Sequence, residues 1–183
     1  MTIAQDAQHL KQNEKQEYTI LHQDLNKTGF LLPLAILLLF LSYSLPLAAE
    51  PVKPEPRDRC PICGMFVAPY PHWLAQIEFS DGSREFFDGP KDMFHFYLSL
   101  PEDSSARSKT NINGIYVTEY YSTKMRQAEK LFFVTGSDVY GPMGKELIPI
   151  HTREAAETFK RDHKGQALLT FDQVTSDMLP GNK

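Results

Sequence analysis

The chain contains only two cysteines, and both belong to one motif, Cys60-Pro61-Ile62-Cys63. The sequence has no second C-x-x-C pair and no paired histidine tract, so a four-ligand zinc site would need scattered histidines. It also lacks a basic block, because its 19 basic and 23 acidic residues are interspersed and give a formal charge of −4. These features exclude the electrostatic footprint of a nucleic-acid-binding protein.

Hydrophobic residues make up 42% of the 183 residues and aromatic residues 11%, which suffices for one compact domain or two small lobes with a shared core. One uncharged apolar run, residues 30–49, has the length of a signal peptide core or of a membrane-anchor helix. Its end, Leu47-Ala48-Ala49, matches a cleavage site only in part, because Leu47 replaces a small residue. The run predicts export, with the remainder of the protein periplasmic or otherwise extracytoplasmic.

The segments around this run have no pattern of a folded domain. Residues 1–29 are rich in Gln, Glu and Asn, and we interpret them as a disordered tail or as the product of a start codon placed too early. If the apolar run is not cleaved, it holds the protein in the membrane. Residues 50–59 contain three prolines and are predicted to form an extended linker, with the folded domain beginning at Cys60.

The first half of this domain has the pattern of two strands, a helix and a third strand. Alternation of apolar and polar residues over 73–79 predicts a half-buried strand, and the turn dipeptide Asp81-Gly82 predicts a hairpin to a strand at 84–87. Pro90 begins the predicted helix, and a strand at 115–121 follows. The buried stripe predicted for this helix consists of Met93, Phe96, Tyr97 and Leu100.

The second half repeats this order. Strands are predicted at 131–135 and 147–150, a helix capped by Thr152 follows, and the last strand is at 167–171. The predicted fold class is therefore α+β, with two small β-β-α-β lobes packed together, at about 60–122 and 130–174, and a C-terminal tail at 175–183. The alternative is a chance succession of elements in an ordinary α+β domain.

Three sulfur side chains, Cys60, Cys63 and Met65, lie within six residues. Thiolate and thioether sulfur are soft ligands that select copper(I) over hard cations, and the two-residue spacer lets both thiols reach one ion. Two alternatives stay open, a zinc site and a disulfide, structural or redox-active. The context of a thioredoxin-like motif is missing, because the cysteines follow a proline-rich linker instead of a strand.

Two further residues are candidate metal ligands. Met143 lies in the glycine-flanked sequence Gly141-Pro142-Met143-Gly144, where it is either a displayed thioether or a gap-filling side chain. His72 lies nine residues after Cys63 and is the best nitrogen candidate, although surface histidines at such positions are common.

Read together, these motifs resemble the NosL family of nitrous oxide reductase accessory proteins, and the resemblance extends from Cys60 to about Val174. The resemblance implies a copper(I) carrier without catalytic activity, which acts beside a membrane transporter and supplies nitrous oxide reductase or a related copper enzyme. The resemblance implies Cys63 and Met65 most firmly as copper ligands, since family members vary at the position of Cys60. It also includes Met143 in a signature. Many members carry a lipid-anchoring cysteine at the signal end, which this chain lacks. The matching segments are residues 60–65, 87–93, 116–120, 136–137 and 141–144.

Overall fold

The computed structural model describes residues 51–103 and 105–181. The expectations for residues 1–29 and for the apolar run at 30–49 lie outside the described residues. Within the described part, neither helix has the length and apolar character needed to cross a membrane. The described residues belong to one compact unit.

The first lobe has the predicted β-β-α-β order. Strands β1 (Ala75–Phe79) and β2 (Arg84–Phe87) form an antiparallel hairpin, helix α1 is Pro90–Ser99, and strand β3 is Ile112–Thr118. A short strand β4 (Met125–Gln127) completes a four-stranded sheet of order β2-β1-β3-β4.

The second lobe has the same order with a small hairpin inserted between its first two large strands. The elements are β5 Phe132–Thr135, β6 Tyr140–Gly141, β7 Gly144–Lys145, β8 Ile148–Ile150, α2 Arg153–Asp162 and β9 Ala167–Thr170. The three-stranded sheet has the order β8-β5-β9, which corresponds to β2-β1-β3 in the first lobe, because in both lobes the first strand is central. Thr152 caps the helix as predicted, with its hydroxyl accepting a hydrogen bond from the Ala155 N–H at 3.2 Å.

A shared core joins the two lobes, as the fold class predicts. Phe94 of α1 packs edge-on against Phe133 of β5, with ring centroids 5.0 Å apart, and lies 5.1 Å from the ring of Phe171. Along β5 the side chains alternate, so that Phe133 enters this shared core while Val134 enters a second cluster with Phe159 of α2. The alternation lets one strand serve two layers of packing.

Three sequence predictions differ in detail from the structure. Strand β1 is buried on both faces, not one, because Gln76 and Glu78 are covered; the Gln76 side chain accepts a hydrogen bond from the Val52 N–H at 3.0 Å. Strand β3 begins and ends three residues earlier than predicted, since Glu119 accepts hydrogen bonds from the N–H groups of the turn that follows it.

The third difference concerns the buried face of α1. Met93 and Leu100 are buried as predicted, but Phe96 and Tyr97 are only half-buried, and the fully buried aromatic residue is Phe94. The helix packs both against its own sheet and against the second lobe, so its buried surface is wider than a single stripe. This wider buried surface of α1 also includes Asp92.

Candidate metal centre

The two cysteines lie on a closed loop just before the first sheet. Arg59 and Phe66 form an isolated antiparallel bridge across the base of the loop. Inside it, the Cys60 N–H donates to the Met65 carbonyl and the Gly64 N–H donates to the Cys60 carbonyl, each at 2.9 Å. Gly64 has a φ of +77°, a left-handed conformation that favours glycine and allows the chain to reverse.

The loop folds back onto the N-terminal end of α1, where two aspartates meet the thiols. One possible ligand atom from each of Cys60, Cys63, Asp88 and Asp92 lies within 4.8 Å of the others, which is close enough to surround a single metal ion. Asp88 lies between β2 and α1, and Asp92 lies in the first turn of α1.

The two aspartates were not predicted as ligands from the sequence. Their only signal is the spacing Asp88-x-x-x-Asp92 across a predicted strand-to-helix junction, which places two carboxylates about one helical turn apart. The stretch 87–93 contributes to the NosL resemblance, but a resemblance alone gave these carboxylates no role.

Each thiol donates a hydrogen bond to its own carboxylate. The Cys63 Sγ lies 3.1 Å from Asp88 Oδ1, and the Cys60 Sγ lies 3.3 Å from Asp92 Oδ2. Both cysteines are free thiols. Burial raises the pKa of Cys60 far above its ordinary value, and burial together with the Asp88 hydrogen bond raises the pKa of Cys63 to about 11.

Among the residues that the structure describes, the two carboxylates have no basic partner although they are buried. Asp88 is 1% exposed and Asp92 is 5% exposed. In residues 51–103 and 105–181, neither forms an ion pair with a lysine, arginine or histidine. Buried charges in proteins are normally paired or coordinate a metal ion, and the N-terminus of α1 compensates a carboxylate only in part. The cluster therefore has the electrostatic character of a cation site.

Cys63 and Met65 line an open depression of about 400 Å³ on the surface. The Arg59 guanidinium stacks on the Phe66 ring, 3.7 Å from its centroid, and donates to the Gly64 carbonyl at 2.8 Å. Cys60, at 1% exposure, is not part of this lining. The remaining lining residues are Arg59, Gly64, Phe66, Pro69 and Tyr70.

The other two predicted ligands lie differently. Met143 occupies the turn between β6 and β7 and is 45% exposed; its carbonyl accepts a hydrogen bond from Lys91 Nζ at 3.1 Å. The turn is thereby attached to the residue that precedes Asp92. His72 is exposed, and the cluster of potential ligand atoms within the described part of the chain does not include it.

The family model described as NosL matches residues 51–179. Among solved structures, the crystal structure of the copper chaperone NosL from Shewanella denitrificans is 22% identical, with a TM-score of 0.60, over 72% of this chain and 99% of that one. The solution structure of the apo-NosL protein from Achromobacter cycloclastes is 26% identical, with a TM-score of 0.41, over 57% of this chain and 87% of that one. No curated protein matches the chain.

Proposed function

We propose, from the premise that this chain belongs to the NosL family, that it binds copper(I) and passes it to a partner protein. The observation that supports this most directly is a cluster of two free thiols, one of which, Cys63, lines an open depression together with Met65. The protein is a carrier in this proposal and not an enzyme. Its copper cargo goes to a copper-dependent enzyme, for which nitrous oxide reductase with its membrane transporter is our expected client.

The donor chemistry favours copper(I). Two thiolates and the Met65 thioether are soft ligands, which bind a monovalent soft cation better than hard divalent ones. In the metal-free protein Asp88 and Asp92 accept the thiol hydrogen bonds, and metal binding replaces those protons. Because the thiol pKa values are raised, copper affinity should increase with pH.

The unequal exposure of the cysteines suggests how the ion is released. Cys63 and Met65 face the depression, whereas Cys60 is buried against Asp92. A ligand from the partner therefore replaces Met65 and Cys63 first, and Cys60 releases the ion last. Exposed apolar side chains beside the depression, Ile62 at 44% and Phe66 at 42%, give the partner a surface for transient contact.

Zinc is the second candidate cargo, because a specific observation favours it. Asp88 and Asp92 supply two oxygen ligands that, with the two thiolates, make four donors without any histidine. A thiol-disulfide oxidoreductase is disfavoured, because such enzymes need a cysteine with a lowered pKa and both thiols here have raised ones.

We further propose that the domain acts outside the cytoplasm. The apolar run at 30–49 supports export by cleavage or by anchoring through an uncleaved helix. Cell fractionation with a C-terminal tag would test this, and a protein found only in the cytosolic fraction would exclude it.

Anaerobic titration of the reduced protein with copper(I), in competition with a chromogenic chelator and with zinc, tests the cargo. We expect one copper(I) per chain, and retention of zinc against excess copper(I) would contradict the proposal. Cys63→Ser should nearly abolish binding and Cys60→Ser should weaken it to an intermediate degree. Met65→Ala, Met143→Ala and His72→Ala should have smaller effects, and Met178→Ala, which removes an exposed methionine outside the predicted ligand set, is the control.

A further inference from the structure

Glu146 is a buried acid of the second lobe that reaches the first lobe next to the metal cluster. It lies between β7 and β8 and is 3% exposed. Its Oε1 accepts hydrogen bonds from the N–H of Lys91, in the first turn of α1, and from the N–H of Leu147. A helix N-terminus normally needs such an acceptor, and the N-cap residue of α1 is a glycine with no side chain to supply one.

The glycine at this N-cap makes the approach of Glu146 possible. A Cβ added to Gly89 would lie 2.1 Å from Oε2 of Glu146, a distance that no packed structure tolerates. A Cβ on Gly141 would lie 3.2 Å from the same oxygen. The carboxyl group is thus packed closely against two glycines, one from each lobe.

A second bond joins the same two segments. The Lys91 N–H donates a hydrogen bond to Glu146, and Lys91 Nζ donates one to the Met143 carbonyl. One residue of α1 is therefore hydrogen-bonded to both ends of segment 143–146. Asp92 directly follows Lys91 and Asp88 lies three residues before it, and these two aspartates accept the thiol hydrogen bonds. Any movement of Glu146 would therefore be transmitted to the first turn of α1 and to the Met143 turn.

We propose that Glu146 is a positioning residue of the metal centre, which fixes the first turn of α1 and the Met143 turn against each other. The inference rests on the proposed metal-binding function, but its structural part concerns only the orientation of Asp88 and Asp92. The role requires a hydrogen-bond acceptor and not a negative charge. Burial raises the pKa of Glu146 to about 8, so the carboxyl is mostly protonated at neutral pH, and glutamine reproduces this form.

The test compares Glu146→Ala and Glu146→Gln in the full chain, with copper(I) affinity and the alkylation rate of Cys63 as measurements. Glu146→Ala should lower the affinity about 10- to 100-fold, as expected for loss of a residue that orients metal ligands. It should also accelerate alkylation of Cys63 in the metal-free protein, because Asp88 is no longer held against the thiol. Glu146→Gln should keep the copper(I) affinity and the alkylation rate within about threefold of the parent values, because the hydrogen-bond acceptor is retained.

Two additional variants separate positioning from loss of stability. Gly89→Ala keeps the glutamate at position 146, but the added Cβ prevents its carboxyl group from reaching the N-terminus of α1. This variant should therefore reproduce the effects of Glu146→Ala, and it serves as the test if Glu146→Ala folds poorly. Phe159→Leu, in the second cluster, should lower the melting temperature without changing the copper affinity or the alkylation rate. Loss of affinity in Glu146→Gln equal to that in Glu146→Ala would overturn the inference, as would an unchanged alkylation rate in both Glu146→Ala and Gly89→Ala. If the parent binds no copper(I), the proposed function fails, whereas the alkylation rates still decide the positioning role.

Discussion

The burial of Cys63, together with its hydrogen bond to Asp88, predicts an unusually unreactive thiol in the metal-free protein. Alkylating reagents attack the thiolate, so the rate follows the thiolate fraction. At pH 8 a thiol with the ordinary pKa of 9.0 is about one-tenth ionised, whereas one with a pKa of about 11 is about one-thousandth ionised. Cys63 should therefore react with iodoacetamide about a hundredfold more slowly than a cysteine in an unfolded peptide.

Asp88→Asn should recover only part of this reactivity. Burial is the larger cause of the raised Cys63 pKa and remains in the variant, while the hydrogen bond to an anionic acceptor is lost. We expect the rate to increase about three- to tenfold, which corresponds to a pKa decrease of up to about one unit. Asp172→Asn, at an exposed aspartate of the second lobe, should leave the rate unchanged.

The assay is quantitative mass spectrometry of the Cys63 peptide after timed alkylation of the reduced, metal-free protein. Repeating the assay between pH 7 and 9.5 checks that the pKa of Cys63 is raised and not lowered. Because the raised pKa keeps Cys63 protonated throughout this range, the rate should increase about tenfold per pH unit without a plateau. A plateau near pH 9, or a parent rate equal to that of the peptide, would refute the argument and return the oxidoreductase alternative to consideration.

Two predictions concern folding. Phe94→Ala should lower the free energy of unfolding by about 3–5 kcal/mol in a urea titration, because it removes a fully buried ring between the lobes. The control Phe66→Ala, at an exposed ring, should change the free energy of unfolding by less than about 1 kcal/mol. Equal losses in the two variants would contradict the shared core. The fragment 50–183 should give the circular dichroism of a folded α+β protein, because every described helix and strand lies within it; an unfolded spectrum would show that residues 1–49 are needed for folding.

The fold was largely predictable because its signals are local. The dipeptide Asp81-Gly82, Pro90 at the start of α1 and the cap at Thr152 each specify their element from a few neighbouring residues. The burial of both faces of β1 was not predictable in this way. It depends on the Val52 N–H, which is 24 residues distant from its acceptor Gln76.

The candidate metal centre was predictable only where one short segment contains it. The C-x-x-C spacing predicts that Cys60 and Cys63 lie close together, because both belong to the same short loop. Asp88 and Asp92 become candidate ligands only when the loop folds back over the N-terminus of α1, at a sequence separation of 25 and 32 residues from the thiols they contact. Glu146 is further removed, since it approaches α1 across 55 residues of chain. Such contacts are set by packing of the two lobes, which no local pattern encodes.

The backbone bonds that close the cysteine loop have a consequence for the kinetics of metal exchange. Since the Cys60 N–H and carbonyl are bonded to Met65 and Gly64 inside the loop, the candidate ligands are held in place before an ion arrives. In the proposed carrier, capture and release of the ion would then require no refolding of the segment, and their rates would be governed by encounter with the partner and by the stepwise exchange of bonds. The amide protons of Cys60 and Gly64 should accordingly exchange with solvent equally slowly in the metal-free and the loaded protein. A carrier of this kind turns over its cargo quickly even when it holds it tightly.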